Sequence, residues 1–489
     1  MKQNPLEITN LGQLKKSGYL PKSIKKEMRD NLIAKLKSKE KLFEGIMGYD
    51  DTVLPDVERA ILSGHNILLL GLRGQAKTKI ARMMIYLLDE YVPIITGSEL
   101  NDDPLQPISK FGVDIVIAKA DETPISWVHR SERYVEKLAT PDVSISDLIG
   151  DVDPIKAANL KLPYSDERVI HFGLIPRSHR SIFVINELPD LQARIQVSLF
   201  NILQEGDLQI RGFKVRLPLD VSFVFTANPE DYTNRGSIIT PLKDRIESQI
   251  LTHYPRSVET SMSITAHEAK ISKDLFSKIN VPYLHRKLIE LINFNARESE
   301  YVDIKSGVSA RLSISSLENL YSTAERRMLL NGEETTTTRI TDFWGVIPAI
   351  TGKVELVYEG EQEGPYNVAL HLIFKSIKTL FLEQFPNPNQ KLKRELKDEY
   401  GTIKAYFSGG NMLELLNDDM ENIFNKKLEQ VAGLRKIAET YMKHDDEITH
   451  LMELVIFGLA ESDVLGKNIL ENSLEFGDPL SDMLSDLEN

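Results

Sequence analysis

The chain has 489 residues, 42% of them hydrophobic and 27% charged, with no low-complexity tract. That length allows about two to four domains, each able to bury a core. A formal net charge of −13 is a poor match for nucleic acid or an anionic membrane, so neither is expected as a partner. The absence of cysteine excludes disulfides, thiolate catalysis and cysteine-ligated zinc, and it fits a reducing compartment.

The N-terminal MKQNPLEITN has no apolar h-region, so no secretory signal is expected there. No apolar run approaches the roughly 18 residues of a membrane helix, and the expected location is cytoplasmic. Residues 1–45 form a basic helical segment, in which YLPKSIKKEMRDNLIAKL has apolar positions at helical spacing. Its charge, like that of the acidic tail ENSLEFGDPLSDMLSDLEN, reads first as a solvated helix face.

Residues 46–255 change texture. Short β-rich runs (NILLLGL, SIFVINEL, VSFVFTAN) alternate with helical stretches (KTKIARMMIYLLDEY, LQARIQVSLFNILQEG). Strands alternating with helices imply βαβ units around a parallel sheet, and continuously apolar strands imply a sheet covered on both faces. Residues 256–355 are mainly helical, with SARLSISSLENLYSTAERRMLL the clearest amphipathic helix. The polar stretch YEGEQEGPYN marks a candidate boundary, and residues 356–489 form a further, mostly helical segment.

The run GLRGQAKT, directly after NILLL, is close to the phosphate-binding pattern G-x-x-x-x-G-K-[ST]. In such a loop the backbone N–H groups point at the phosphates, a lysine reaches the terminal oxygens, and a hydroxyl holds Mg²⁺. The nucleotide-binding candidates are therefore Gly71, Gly74, Gln75, Ala76, Lys77 and Thr78, with Thr78 also a metal ligand. Ala76 stands where the pattern has its second glycine; a negative φ there would keep its methyl clear of the phosphates. The alternative is a chance match at a strand–helix junction.

SIFVINELPDL ends an apolar strand in Asn186-Glu187. In a nucleoside triphosphatase of this architecture a neighbouring strand ends in acidic residues that orient Mg²⁺ and polarise the attacking water. Glu187 fits the catalytic role, and Asn186 would keep a metal-facing oxygen without the charge. A third strand ends at Asn228, whose amide can orient a water, so Asn228 joins the catalytic candidates. Arg245, in PLKDRIE, is the candidate arginine finger acting on a neighbouring subunit, with Arg235 in TNRG as its competitor. Each arginine could equally be a surface ion-pair residue. Arg311, in SARLS at a helix start, is placed to close on the phosphates. The ten histidines form no H-E-x-x-H or other compact ligand set along the sequence, and His179 in RSHR reads as an inter-subunit polar contact.

The order Lys77, Glu187, Asn228, Arg245, Arg311 resembles the AAA+ ATPases. RVIHFGLIPRSHR before one strand and the hairpin-like GDLQIRGFKVRLP before the next resemble the insertions of the MoxR and magnesium chelatase branch. TPDVSISDLIGDVD, NPEDYTNRG and PLKDRIE are also similar to that branch, and IMGYDD around Gly48 resembles its adenine-packing segment. The resemblance covers roughly residues 43–330 and includes an alanine at the position of Ala76. It implies an α/β phosphate-loop core, a parallel sheet flanked by helices, with a helical lid and a C-terminal extension. It further implies ATP and Mg²⁺ as cofactors, a hexamer-like ring of this chain, and a von Willebrand factor A-domain protein or another client as partner. Asn186, and Ile246 where a phenylalanine is usual, depart from the pattern. A low-turnover nucleotide-dependent scaffold, a true magnesium chelatase subunit and a DNA motor are the other readings, the last opposed by the charge.

Overall fold

The computed structural model describes residues 5–163, 166–210, 216–229, 236–390, 398–442, 448–470 and 473–479. The chain divides into two compact units, Met1–His253 and Tyr254–Asn489. Among the described residues no helix is long and apolar enough to cross a membrane.

In the first unit, helix α1 (Ile24–Ser38) starts where the Ser23 side chain accepts from the Lys26 N–H. Its buried residues Ile24, Met28 and Leu32 repeat every four positions and so share one face. Helix α2 (Val53–Ser63) packs on α1 and stops at Gly64, in the left-handed conformation that glycine adopts without a Cβ penalty. Five parallel strands follow: β1 (Ile67–Leu70), β2 (Tyr134–Leu138), β3 (Ser181–Asn186), β4 (Val221–Ala227) and β5 (Ser248–Leu251), with helix α3 (Lys77–Met83) after β1. Their order in the sheet is β5-β1-β4-β3-β2.

Alternate residues of the central strands enter two different cores. Ile67, Leu69, Ile182 and Val184 join one, whereas Leu68, Phe183 and Ile185 join the other. That is the two-residue period of a sheet covered on both faces. The register aligns the strand ends: Leu70 lies opposite Ala227, Phe225 opposite Ile185, and Asn186 opposite Leu138. The glutamate-bearing strand β3 is therefore not the immediate neighbour of β1; β4 lies between them.

Two helices are shorter than their apolar periodicity suggests. The one after the loop is α-helical only over Lys77–Met83, tightens to a 3₁₀ turn over Met84–Leu87, and Tyr91 already begins a strand. LQARIQVSLFNILQEG splits into Ala193–Ser198 and Phe200–Glu205. Of the two expected insertions, Ile170–Phe172 pairs with Gly150–Val152, and Asp207–Gln209 pairs antiparallel with Arg216–Pro218, as a hairpin requires.

The second unit is mainly helical. It contains α4 (Tyr283–Arg297), α5 (Arg311–Asn331), α6 (Pro365–Gln384) and α7 (Ile448–Ala460). A single apolar core runs from Ile279 to Phe476, so the segments 256–355 and 356–489 share it. The break expected at YEGEQEGPYN is smaller than its composition suggests: Tyr358–Glu363 is helical, and only Gly364, at φ 91°, separates it from α6. A small antiparallel sheet of Leu413–Leu416, Ser473–Gly477 and Gly466–Ile469 adds strands where helix was expected. Helix α7 meets α6 at Gly458, where an added Cβ would lie 2.1 Å from the Phe381 Cγ.

Candidate nucleotide site

Aligned strand ends put the loop after β1, Asn186-Glu187 after β3 and Asn228 after β4 on one edge of the sheet. In open α/β sheets the carboxyl edge is where ligands bind. The loop is held from below and from both flanks. The Gly71 N–H donates to the Ala227 carbonyl at 3.1 Å. The Thr252 hydroxyl donates to Gln75 Oε1 at 2.7 Å, and the Tyr49 hydroxyl donates to the Gln75 and His253 carbonyls at 3.1 and 2.6 Å. A Cβ at Gly71 would sit 2.0 Å from Thr252 Oγ1 and 2.2 Å from Gln75 Oε1, so any other residue would push apart the Thr252–Gln75 bond. Gly48, at φ 77°, turns the chain into Tyr49. No sequence motif flags Tyr49 or Thr252, since each acts through a residue far along the chain.

Gly74 has φ 73°, as expected of the turn. Ala76 does not have the negative φ that would have made its methyl harmless. It adopts φ 56° and ψ 13°, the left-handed region, at the junction of loop and helix. A non-glycine residue there costs about 1–2 kcal/mol, so the loop stores a little strain. Lys77 is buried and its ammonium donates to the loop carbonyls of Gly71 and Leu72.

Thr78 and Asn186 do come together. The Thr78 hydroxyl donates to Asn186 Oδ1 at 3.3 Å, and the Thr226 hydroxyl donates to the same oxygen at 3.0 Å. The Asn186 amide nitrogen donates to Glu136 Oε1 at 2.7 Å. A carboxylate only accepts, so this contact fixes which end of the amide faces the loop. Arg82 grips Glu136 with two bonds of 2.8 and 2.9 Å, and the Tyr134 hydroxyl adds a third of 3.2 Å. Those bonds, Arg82 foremost, hold the Glu136 carboxyl below the usual range. Burial, reinforced by the Glu136 charge, pushes the Tyr134 phenol up. Glu136 and Thr226 lie in the middle or at the end of strands with no motif to flag them.

Glu187 has φ 54° and ψ 51°, a left-handed non-glycine residue at the strand end, and its N–H donates to Thr226 Oγ1 at 3.2 Å. Strain of this kind persists only where the surroundings fix it, and it concentrates at functional sites. Asn228 is buried at the tip of β4. Arg245 is half-buried on the far flank: it donates to Gln204 Oε1 at 3.1 Å and to the Pro241 carbonyl at 2.8 Å, and its guanidinium lies 4.6 Å from the Phe200 ring centre. None of these partners belongs to the loop of the same chain. Arg235 lies outside the described residues. Arg311 is exposed at the first position of α5, in the second unit. His179 is not presented to a partner: it is buried inside the first unit, and its Nδ1 accepts from the Asp220 N–H at 3.0 Å.

The donors around Thr78 and Asn186 are all oxygens, the set a hard cation such as Mg²⁺ takes. The cluster fits that ion, with a neutral amide where a charged ligand would bind it more strongly.

No family model matches the chain. Similar solved structures include NtrX from Brucella abortus in complex with ADP, at 15% identity over 59% of this chain and 53% of that one, with a TM-score of 0.32. The chain thus spans about half the length of that NtrX chain. A candidate ATPase from Cytophaga hutchinsonii is 16% identical over 74% of this chain and 97% of its own, with a TM-score of 0.29. A complex of the BchI and BchD subunits of magnesium chelatase matches at 19% identity over 65% and 98%, with a TM-score of 0.33. At these identities and scores no residue's role is carried over from them. The parallel strand order, with the loop after β1 and the polar residues at the strand tips on one edge, makes the first unit an open α/β fold with a phosphate-loop-like turn at its carboxyl edge.

Proposed function

We propose that the chain is an ATPase that works as a ring of its own copies and uses hydrolysis to remodel or mature a partner protein. The observation that carries this reading is the convergence of the Thr78, Asn186 and Thr226 oxygens beside the Lys77 loop, with Glu187 next in the chain. Loop amides and Lys77 would bind the phosphates. Thr78 and Asn186 would hold Mg²⁺, which bridges the outer phosphates and offsets their charge. Glu187 polarises the attacking water and Asn228 orients it. Arg245 finds its partners away from its own loop, which supports a role at a neighbouring copy's nucleotide. Arg311 couples hydrolysis to movement of the second unit. By resemblance, the client carries a von Willebrand factor A-type domain; a true chelatase subunit is the narrower version.

Asn186 favours a second reading, a nucleotide-bound scaffold with little turnover, because an amide ligand leaves the metal with less compensating charge. Steady-state ATP hydrolysis measured against protein concentration separates the two. Turnover per chain that rises with concentration and collapses in both Glu187→Gln and Arg245→Ala supports the ring. Tight nucleotide binding with no turnover in the wild type supports the scaffold.

A further inference from the structure

The second unit buries two imidazoles and a carboxylate against each other. His285 lies on α4, while His450 and Glu453 lie one turn apart on α7 and so share a face. They are 1%, 9% and 0% exposed. One donor atom from each lies within 4.8 Å of the other two, and the imidazole ring centres are 5.0 Å apart.

Each residue also has one polar atom left over. His285 Nε2, His450 Nδ1 and Glu453 Oε2 have no hydrogen-bond partner among the described residues. Two of the three are held by a hydrogen bond through their other polar atom. His285 Nδ1 is bonded to Thr338 Oγ1 at 2.8 Å, and Glu453 Oε1 accepts from the Thr341 N–H at 3.2 Å. A hydroxyl that accepts from Nδ1–H leaves the Nε2 lone pair free to face the other two, the arrangement that metal-binding histidines share. Arg339 is near enough for its charge to act on His450 and Glu453, and its Nη2 is also buried without a partner, but no hydrogen bond joins it to any of the three: its Nη1 donates to the Asp419 carbonyl at 2.8 Å and its guanidinium lies 4.1 Å from the Phe424 ring centre. An orphaned buried polar atom costs about 1–3 kcal/mol, and three such atoms on the residues of one cluster share one remedy.

We propose that His285, His450 and Glu453 bind a single divalent transition-metal ion, zinc by preference, that ties α4 to α7. Two nitrogens and one carboxylate oxygen suit zinc or cobalt, whereas magnesium and calcium take oxygen donors throughout. The fourth position goes to a water. So buried a site admits no substrate, and its role is structural. It is independent of the proposed ATPase activity.

The test uses the full chain without a histidine tag, stripped with a chelator and dialysed against zinc with excess magnesium and no nucleotide. Elemental analysis after gel filtration is expected to find one zinc per chain in the wild type. None is expected in His450→Gln or Glu453→Gln variants that keep the wild-type circular dichroism spectrum. Should the variants fail to fold, the wild type still decides: cobalt in place of zinc gives the visible bands of a four-coordinate ion, and saturating zinc raises the melting temperature. A wild type that retains no metal and shows no cobalt bands overturns the site, with a water or a void in its place. Undiminished zinc in the folded variants overturns it as well.

Discussion

Asn186 donates one amide hydrogen bond to the Glu136 carboxylate, 2.7 Å away on the adjacent strand, and turns its oxygen toward Thr78. The acidic group that the loop's partner strand lacks is thus present one strand further out, separated from Thr78 by a neutral amide. Restoring an aspartate at position 186 is therefore not a simple reversion. Asn186→Asp alone sets two carboxylates at hydrogen-bond distance, which raises the pKa of one and loses a bond. It is expected to lower stability by about 1–3 kcal/mol and to leave magnesium affinity no better than wild type. Adding Glu136→Gln restores the bond and exposes the benefit of the new charge. Urea midpoints and the magnesium dependence of nucleotide binding check both steps; a single variant as stable as wild type with tighter magnesium binding would show that Glu136 plays no part.

Ala76 is strained rather than adapted. Its φ of 56° is one that glycine takes freely. Ala76→Gly is expected to raise unfolding stability by up to about 1 kcal/mol, the relief of the left-handed strain less the extra entropy of the unfolded chain. Nucleotide affinity should stay within a few-fold. A drop in stability on this substitution would mean that the methyl's packing outweighs the strain.

His179 makes stability depend on pH. Burial, with the Arg180 charge second, holds its imidazole down at about 4. The folded state therefore binds the proton less readily than the unfolded chain, where the pKa is about 6.5. Its contribution is complete above pH 6.5 and is lost as pH falls toward 4. Asparagine can accept from the Asp220 N–H without titrating. His179→Asn should thus gain on the wild type by about 2 kcal/mol between pH 7 and pH 4.5. Denaturation curves at the two pH values measure this directly, and parallel losses in both proteins would refute it.

Arg133 and Glu27 form a buried pair, 2% and 4% exposed, joined by two bonds of 2.7 Å. Glu27 stands on the core face of the basic helix α1, which ties that helix into the first unit. Glu27→Gln leaves the Arg133 charge buried without its counterion and is expected to cost about 3–5 kcal/mol. A urea midpoint within experimental error of wild type is the contrary result.

Much of the first unit was legible because its signals are local. Strand runs such as SIFVIN are continuously apolar, and GLRGQAKT carries its chemistry in eight consecutive residues. What stayed hidden depends on partners distant in sequence. Glu136 reads as one charge in a half-exposed strand, and only the β2–β3 register places it against Asn186. The sign of φ at Ala76 is set by the chain's path into α3, which a residue type does not report. His285 and Glu453 are far apart along the chain, so no spacing rule could join them. YEGEQEGPYN reads as a boundary because charge, glycine and proline mark loops statistically, yet most of it is helical and only Gly364 interrupts the helix.

Gly458 gives α7 a rotational phase. With the Phe381 ring seated where a side chain would be, the helix cannot roll about its own axis without driving a Cβ into that ring or opening a gap beside it. The direction in which His450 and Glu453 point is thus constrained about one to two turns away, by a residue with no side chain, in the way a key fixes a shaft in its hub. Alanine at this position would be felt first as an angular error at those two residues, before any loss of helix.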